Sequence, residues 1–137
     1  MSQKSPLKLK LLPDVFGILK LPPAQPFPNW LTHVPVFFVA RTEDEFSIMC
    51  PQRCIPFGVD YNAGWSCLRV DGDLAFDEVG VAARLSRPLA DAGLSIFVVS
   101  THDRDYVLVA EKDMQAAFSA YEIAGFKIRN YSSPAPV

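Results

Sequence analysis

The sequence has few of the features of a disulfide-rich, membrane-spanning or nucleic-acid-binding protein. Its 137 residues include three cysteines, an odd number that argues against a disulfide framework. No hydrophobic run approaches the roughly 18 residues that cross a bilayer. There is no cluster of lysine or arginine along the chain and the formal net charge is −2, so nucleic acid is not an expected partner. The composition, 50% hydrophobic and 20% charged, is typical of a globular protein.

The cysteines and histidines do not form a metal-binding motif. Cys50 and Cys54 are not spaced as CxxC, and no second Cys/His pair completes a zinc site, since His33 and His102 stand alone. We therefore expect no metal and no cofactor, with the cysteines buried as small apolar residues. Lysine and leucine alternate over residues 7–11, which is typical of a strand and not of a signal peptide, and we expect a cytoplasmic protein without membrane contact.

Proline separates two halves of different character. Nine of the twelve prolines precede residue 57, which leaves little room for helix there. The pattern predicts strands over residues 7–12 and 16–21, separated by a type I turn at Pro13 and Asp14. It also predicts a hairpin from strands 36–40 and 46–50. Residues 56–64, with three glycine or asparagine turn positions, form the best boundary.

The second half alternates strands with helices. Residues 65–70 predict a strand and 77–92 a helix, with Asp77 as its N-cap or first-turn acid. Pro88 should kink this helix or restart it from a Ser86 cap. Strands over 94–100 and 106–110, a helix over 112–124 and a strand over 126–129 follow. The resulting order, βαββαβ, is the ferredoxin-like pattern of two helices on an antiparallel sheet.

The chain also shows signs of an internal repeat. A shift of 60 residues aligns the two predicted hairpins without a gap, so that Phe46 meets Tyr106 and Ile48 meets Leu108. The strands 16–21 and 65–70 align at a shift of 49, so the first copy is shorter where the second has its long helix. Two related units are the preferred interpretation. Chance similarity between two apolar hairpins is the alternative.

Three segments together resemble the tandem ACT-domain proteins, a family that includes small bacterial members and the arginine-sensing CASTOR proteins. They are LAFDEVG at residues 74–80, VVSTHDRDYVLV at 98–109 and RTEDEFSIMCPQR at 41–53. The resemblance implies an α+β fold of two ferredoxin-like (βαββαβ) ACT-type units. The first, residues 1–62, would be shortened, degenerate and helix-poor. The second, residues 63–131, would be an intact ACT domain, followed by a flexible tail at 132–137.

The same resemblance implies a non-catalytic regulatory protein that binds an amino acid, and a homodimer formed by side-by-side pairing of sheets. The ligand would contact the loop that opens the first helix and the tip of the following hairpin, which here correspond to Ala75, Phe76, Asp77, Glu78, Thr101, His102 and Asp105. Two positions depart from the family pattern. Ala75 replaces a frequent glycine, and His102 replaces a usual aromatic residue.

The chemistry of an amino acid gives these residues distinct roles. The ligand carboxylate suits backbone N–H groups at a helix N-terminus, and an ammonium or a cationic side chain suits Glu78 and Asp105. Each acid also has a simpler interpretation, because Asp77 and Glu78 could cap the helix and Asp105 could close the hairpin turn. A structural or protein-interaction module without a ligand is therefore the alternative function.

An enzyme is the least favoured hypothesis. Ser100, His102 and Asp105 contain the residue types of a hydrolase triad, but they lie on one short segment and no oxyanion loop accompanies them.

Overall fold

The computed structural model describes residues 7–72 and 79–131. Contacts divide the chain into a small unit, Asp14–Trp65, and a large unit made of the residues up to Pro13 and from Ser66 onward. The strands and helices in chain order are β1 (Lys8–Leu21), β2 (Phe38–Arg41), β3 (Phe46–Pro51), β4 (Asn62–Asp71), α1 (Val81–Asp91), β5 (Ile96–Ser100), β6 (Asp105–Ala110), α2 (Met114–Ile123) and β7 (Lys127–Arg129). The two helices of the described ranges are too short to cross a bilayer.

The large unit has the predicted βαββαβ order from β4 to β7, and the predicted α+β ferredoxin-like class is confirmed. Its strand order adds a feature that was not predicted. β4 lies between β1 and β6, whereas β7 pairs in parallel with Lys8–Lys10 of β1. β1 therefore separates β7 from β4. The residues of the compact units consequently differ from the predicted division into 1–62 and 63–131, because the start of β1 belongs with the large unit.

β1 runs without a break through Pro13, so the predicted type I turn at Pro13 and Asp14 is wrong. β7 pairs with residues up to Lys10 and β3 pairs from Phe16 onward. Pro13 lies in the gap between these two partners, so its missing N–H removes no donor from the ladder with β3 or from the ladder with β7, which are separate from the pairing with β4. A proline is thus tolerated inside a long strand.

The core of the large unit forms where both helices cover one face of the sheet. α1 buries Val81, Leu85 and Leu89 at helical spacing, and α2 buries Met114, Ala117 and Tyr121. The strands contribute Leu9, Leu68, Val70, Val107 and Val109, and Leu7, which directly precedes β1, adds to them. The Tyr121 hydroxyl donates a hydrogen bond of 2.7 Å to the Leu85 carbonyl and so joins the two helices inside this core.

The first helix is shorter than predicted. α1 begins at Val81 after Gly80, whose φ of +85° is readily adopted by glycine. Asp77, predicted as the N-cap or first-turn acid of this helix, lies outside the described residues. Pro88 lies inside α1 without ending it, and the Ser86 hydroxyl donates to the Ala82 carbonyl at 2.9 Å. Ser86 therefore does not restart the helix as a cap.

The small unit is poor in helix, as predicted. All of its residues are described, and they contain two single-turn 3₁₀ helices, Asn29–Leu31 and Gln52–Cys54, but no α-helix. β3 pairs antiparallel with both β2 and β1. A separate core forms from Leu19, Leu31, Val34, Phe46, Ile48 and Cys50.

The two hairpins correspond at an offset of 59 residues, so the predicted offset of 60 is wrong by one. Each hairpin has a four-residue tip between its last paired residues, which are Arg41 and Phe46 in one hairpin and Ser100 and Asp105 in the other. Each tip begins with threonine, and the Thr42 and Thr101 N–H groups donate to the carbonyl of the last tip residue at 2.9 and 2.7 Å.

The difference of one residue in the offset decides which side chains of the two hairpins are equivalent, because neighbouring residues of a strand face opposite sides of the sheet. At an offset of 59, the core residue Ile48 corresponds to Val107, which also lies in a core. At 60 it would correspond to Leu108, which lies outside that core. A common origin of the two units stays a prediction.

We expect Tyr121→Phe to destabilise the protein by about 1 kcal/mol, the typical net value of a buried hydrogen bond. Burial raises the pKa of the Tyr121 phenol, so its hydroxyl stays protonated and able to donate near neutral pH. Urea unfolding would measure the change. Tyr61→Phe is the matched control because that side chain is 40% exposed, and an equal loss in both variants would contradict the role of the helix-to-helix bond.

Candidate ligand site at the end of strand β4

The tip of the β5–β6 hairpin is held by its own hydrogen bonds. The Thr101 hydroxyl donates to the Arg104 carbonyl at 3.0 Å and accepts from the Arg104 N–H at 3.1 Å. The side chain of Thr101, one of the predicted ligand-binding residues, is therefore engaged in closing the turn.

Asp105 lies at the first position of β6, directly opposite Ser100. The Ser100 hydroxyl donates a hydrogen bond to Oδ1 of Asp105. Within the described part of the chain, the other oxygen, Oδ2, has no hydrogen bond partner. Asp105 thus closes the hairpin and also keeps an acceptor that another group could use.

His102 lies at the exposed end of the same tip. Its Nδ1 atom is 2.7 Å from Oδ1 of Asp103, and both side chains are more than four-fifths exposed. Ser100 and Asp105 bond directly to each other, whereas a hydrolase triad places the histidine between the serine and the acid. The tip does not have the geometry of a triad.

A long side chain connects this tip to the end of β4. The Arg104 guanidinium donates to the backbone carbonyl of Gly72, which lies 32 residues earlier in the chain. Gly72 is the last described residue before the loop predicted to bind the ligand. The predicted site residues of that loop, Ala75, Phe76, Asp77 and Glu78, lie outside the described residues. The described part of the site therefore consists of the hairpin tip and the end of β4.

Asp71, the residue before Gly72, is held by two arginines. Arg69 donates to its Oδ1 atom through Nε at 3.0 Å and Nη2 at 2.9 Å, and Arg129 donates to Oδ2 through Nε at 3.1 Å and also through Nη2. The Asp71 side chain is only 13% exposed. Burial alone would raise the pKa of Asp71, but the hydrogen bonds from Arg129 and Arg69 outweigh burial and lower it. Asp71 therefore stays ionised and fixes the end of β4.

The sequence did not identify Arg104, Asp71 or Arg129 as parts of this region. The guanidinium of Arg69 binds Asp71. Arg129 lies 58 residues from Asp71, and no local motif indicates such a contact. Only knowledge of the strand order would have brought these residues together.

Two of the three thiols, those of Cys50 and Cys67, are buried. Burial and the neighbouring Cys54 raise the pKa of Cys50 to about 11, and burial raises the pKa of Cys67 to about 12. Both thiols are therefore protonated at neutral pH. Within residues 7–72 and 79–131, no group of three or more His, Cys, Asp or Glu side chains is arranged to hold a metal ion.

Comparisons with known proteins relate both units to described families. A family model for the ACT domain matches residues 60–121, and a second family model, for an N-terminal domain, matches residues 14–57. A crystal structure of a protein from Agrobacterium tumefaciens is 34% identical with a TM-score of 0.86, and the match covers 98% of this chain and 100% of that one.

Two more distant relatives have descriptive names. The mouse (Mus musculus) protein "Cytosolic arginine sensor for mTORC1 subunit 1" is 31% identical over 91 residues, which are 61% of this chain and 28% of that protein. The chain thus covers less than a third of that relative. The regulatory subunit of aspartate kinase from Thermus flavus has a TM-score of 0.65 at 16% identity, covering 89% of this chain and 99% of that one, a likeness of fold alone.

We expect Asp71→Asn to destabilise the protein by about 1 kcal/mol at neutral pH, since Arg129 is 60% exposed and solvent weakens its pairing. The folded-state pKa of Asp71 lies below the ordinary value of 3.8. The stabilisation of the fold by the ionised carboxylate is therefore present above pH 3.8 and is lost as the pH falls through the folded-state pKa. Urea unfolding of both proteins from neutral to acidic pH would show the difference shrinking. Asp60→Asn, at an exposed position, is the control, and a difference that grows toward low pH would contradict the assignment.

Proposed function

Because the chain belongs to the ACT-domain family, we propose that it is a non-catalytic regulatory protein that binds an amino acid. The name of the mouse relative describes an arginine sensor, and the Thermus flavus neighbour is the regulatory subunit of an enzyme. Both support a regulatory role for this chain. We also infer a cytoplasmic location, which the word "cytosolic" in the name of the mouse relative supports.

The observation that supports this proposal most directly is the contact between Arg104 and the Gly72 carbonyl. It holds the tip of the hairpin against the last described residue before the loop at 73–78. The ligand would bind between that tip and that loop. A mobile tip would lose entropy on binding, whereas a tip that is already fixed avoids that loss.

We propose the following roles for the site residues. The Oδ2 atom of Asp105 would accept from the ligand ammonium, because Ser100 occupies only Oδ1. Thr101 would fix the tip, and His102 would contact the ligand from its exposed end. Backbone N–H groups of the loop from Ala75 to Glu78, which lies outside the described residues, would bind the ligand carboxylate.

The charges of the site would favour a basic amino acid. Asp105 and Glu78 would both face the ligand, one from the hairpin and one from the loop. Two carboxylates can compensate the α-ammonium and a cationic side chain together. A neutral or acidic amino acid would leave one carboxylate without a partner, which is unfavourable in a closed site.

A structural or protein-interaction module without a ligand is the second candidate. The observation that favours it is the internal bonding of the tip, since Thr101 and the Oδ1 atom of Asp105 already have partners within the hairpin. A hairpin that binds nothing would need the same contacts. The two candidates differ in what the Oδ2 atom of Asp105 binds, and substitution of Asp105 therefore separates them.

We further propose a homodimer in which the sheets pair side by side. β5 ends the strand order of the large unit, with β6 on one side, and its Phe97 and Val98 side chains are 40% and 38% exposed. An exposed apolar edge strand offers backbone groups and apolar surface to a second strand. Pairing of β5 with β5 of a second copy would cover both. We expect neither nucleic acid nor a membrane as a partner.

A thermal-shift panel over the twenty amino acids tests ligand binding. We expect a basic amino acid to raise Tm by about 10 °C at roughly 100 times its Kd, because a ligand that binds only the folded state stabilises that state. Asp105→Ala should lose most of this shift, and Asp105→Asn, which keeps the hydrogen bond to Ser100, should lose it as well. Asp103→Ala is the control at an exposed neighbouring acid.

Two outcomes would decide against an amino-acid site that includes Asp105. One is the absence of any shift at millimolar amino acid, and the other is an equal shift in wild type and both Asp105 variants. If no shift occurs while the Asp105 variants keep their stability and assembly, the interaction module is the better description.

Static light scattering tests the dimer. We expect a mass of twice the 15.2 kDa of one chain for the wild type and a single-chain mass for Val98→Lys, because a charge on an edge strand opposes pairing. Val98→Thr keeps a β-branched side chain without charge and should remain dimeric. A single-chain mass for the wild type at micromolar concentration would contradict the proposal.

A further inference from the structure

The face of the large unit's sheet that is not covered by helices carries a concentration of positive charge. Leu9 of β1 and Leu7, which directly precedes β1, lie in the core, and Ile128 of β7 packs against it. Neighbouring residues of a strand face opposite sides of the sheet, so the residues next to these core residues along β1 and β7 point away from the helices. We call these side chains and the adjacent arginine of β4 the basic face: Lys8, Lys10, Arg69, Lys127 and Arg129.

The pairing of β1 with β7 sets like charges opposite each other. Lys8 is opposite Lys127, and Lys10 is opposite Arg129. Like charges in directly opposite positions destabilise a sheet. Such an arrangement lowers the stability of the free protein, and an anionic partner would relieve the repulsion.

The neighbouring acid does not neutralise the basic face. Asp71 uses Oδ1 for Arg69 and Oδ2 for Arg129, and the structure gives no ion pair to the three lysines within the described ranges. The face and Asp71 together have a formal charge of +4, in a chain whose formal net charge is −2. The positive charge is therefore local, although no run of basic residues is present in the sequence.

We propose that the basic face binds an extended acidic segment of a partner protein. Four of its cations form two adjacent rows, with Lys8 and Lys10 on β1 and Lys127 and Arg129 on β7. Within each row the two cations are two positions apart. That spacing is about 6.6 Å along a strand. Carboxylates at every second position of an extended peptide recur at the same distance, so a peptide lying along the strands would match the rows in charge and in spacing.

The overall charge favours a peptide over a nucleic acid. The pI of the chain is about 5.6, whereas nucleic-acid-binding domains are usually strongly basic. The negative charge on the rest of the chain would repel a long polyanion more than it would repel a short segment with a few carboxylates. Binding at this face is separate from the amino-acid site proposed above, and either could fail without the other.

The test measures binding of a fluorescein-labelled peptide with glutamate at alternate positions by fluorescence anisotropy, at low salt and at physiological salt. A peptide of the same composition with its glutamates in one block, and an oligothymidylate of equal charge, are the comparison probes. We expect the alternating peptide to bind most tightly, and its affinity to fall as the salt concentration rises.

The variant Lys8→Glu/Lys10→Glu reverses one row of the basic face. We expect it to weaken binding of the alternating peptide by at least about tenfold. It should also raise Tm by about 3 °C, because each glutamate would then lie opposite a cation of β7. Lys8→Gln/Lys10→Gln, which removes the charges without reversing them, should have a smaller effect in the same directions.

Lys20→Glu/Lys112→Glu is the matched control, because it makes the same change in net charge at two exposed residues that are not part of the basic face. We expect it to bind the alternating peptide like the wild type. Equal weakening in the control and the Lys8/Lys10 variant would overturn the proposal, as would tighter binding of the oligothymidylate at the same lysines. A Tm lowered by Lys8→Glu/Lys10→Glu would contradict the unfavourable pairing on which the proposal depends.

Discussion

The position of β1 between β4 and β7 is the constraint on which the rest of the large unit depends. Leu7 and Leu9 fill the core beneath the helices because this strand belongs to the unit. The arginine of β7 reaches Asp71 of β4 from the far side of β1, so one carboxylate links the two strands that flank β1. The same arrangement brings the lysines of β1 next to the cations of β7. The core, the fixed end of β4 and the basic face thus have one structural cause.

Local sequence patterns were sufficient to predict the order of strands and helices in the large unit. They did not predict which distant strands pair with each other. Alternation and helical spacing identified the βαββαβ order, because burial on one face imposes those periods on each segment. Pro13 was misinterpreted because a turn is its usual setting, and only the partners of β1 show that its missing N–H is tolerated. The predicted alignment of the two hairpins was wrong by one residue. Apolar residues occupy neighbouring positions in their strands, so the sequence does not show which of these side chains face the core, whereas the pairing registers do.

In the candidate site, too, some residues were predicted from a local motif and others are brought in only by long-range contacts. Thr101, His102 and Asp105 were predicted together because the hairpin that contains them resembles a family motif, and the structure gives them different contacts: a turn, an exposed acid and a serine across the hairpin. Arg104 and Asp71 were missed because their partners lie on other elements. The residues that fix a site are harder to predict than the residues at its surface. The family resemblance identified the loop and the hairpin tip, and physical contacts add the side chains that hold the tip.

The parallel pairing of β1 with β7 also has a consequence for the order of folding during synthesis. Lys8 and Lys127 are separated by 119 positions, so this ladder closes only when nearly all of the described chain has been made. The small unit, whose core lies within residues 14–65, has all its core residues much earlier. Until then Leu7 and Leu9 emerge from the ribosome without the helices that cover them. The first apolar residues of the described chain are thus among the last to be buried, and a chaperone or the translation machinery has a long interval in which to bind them.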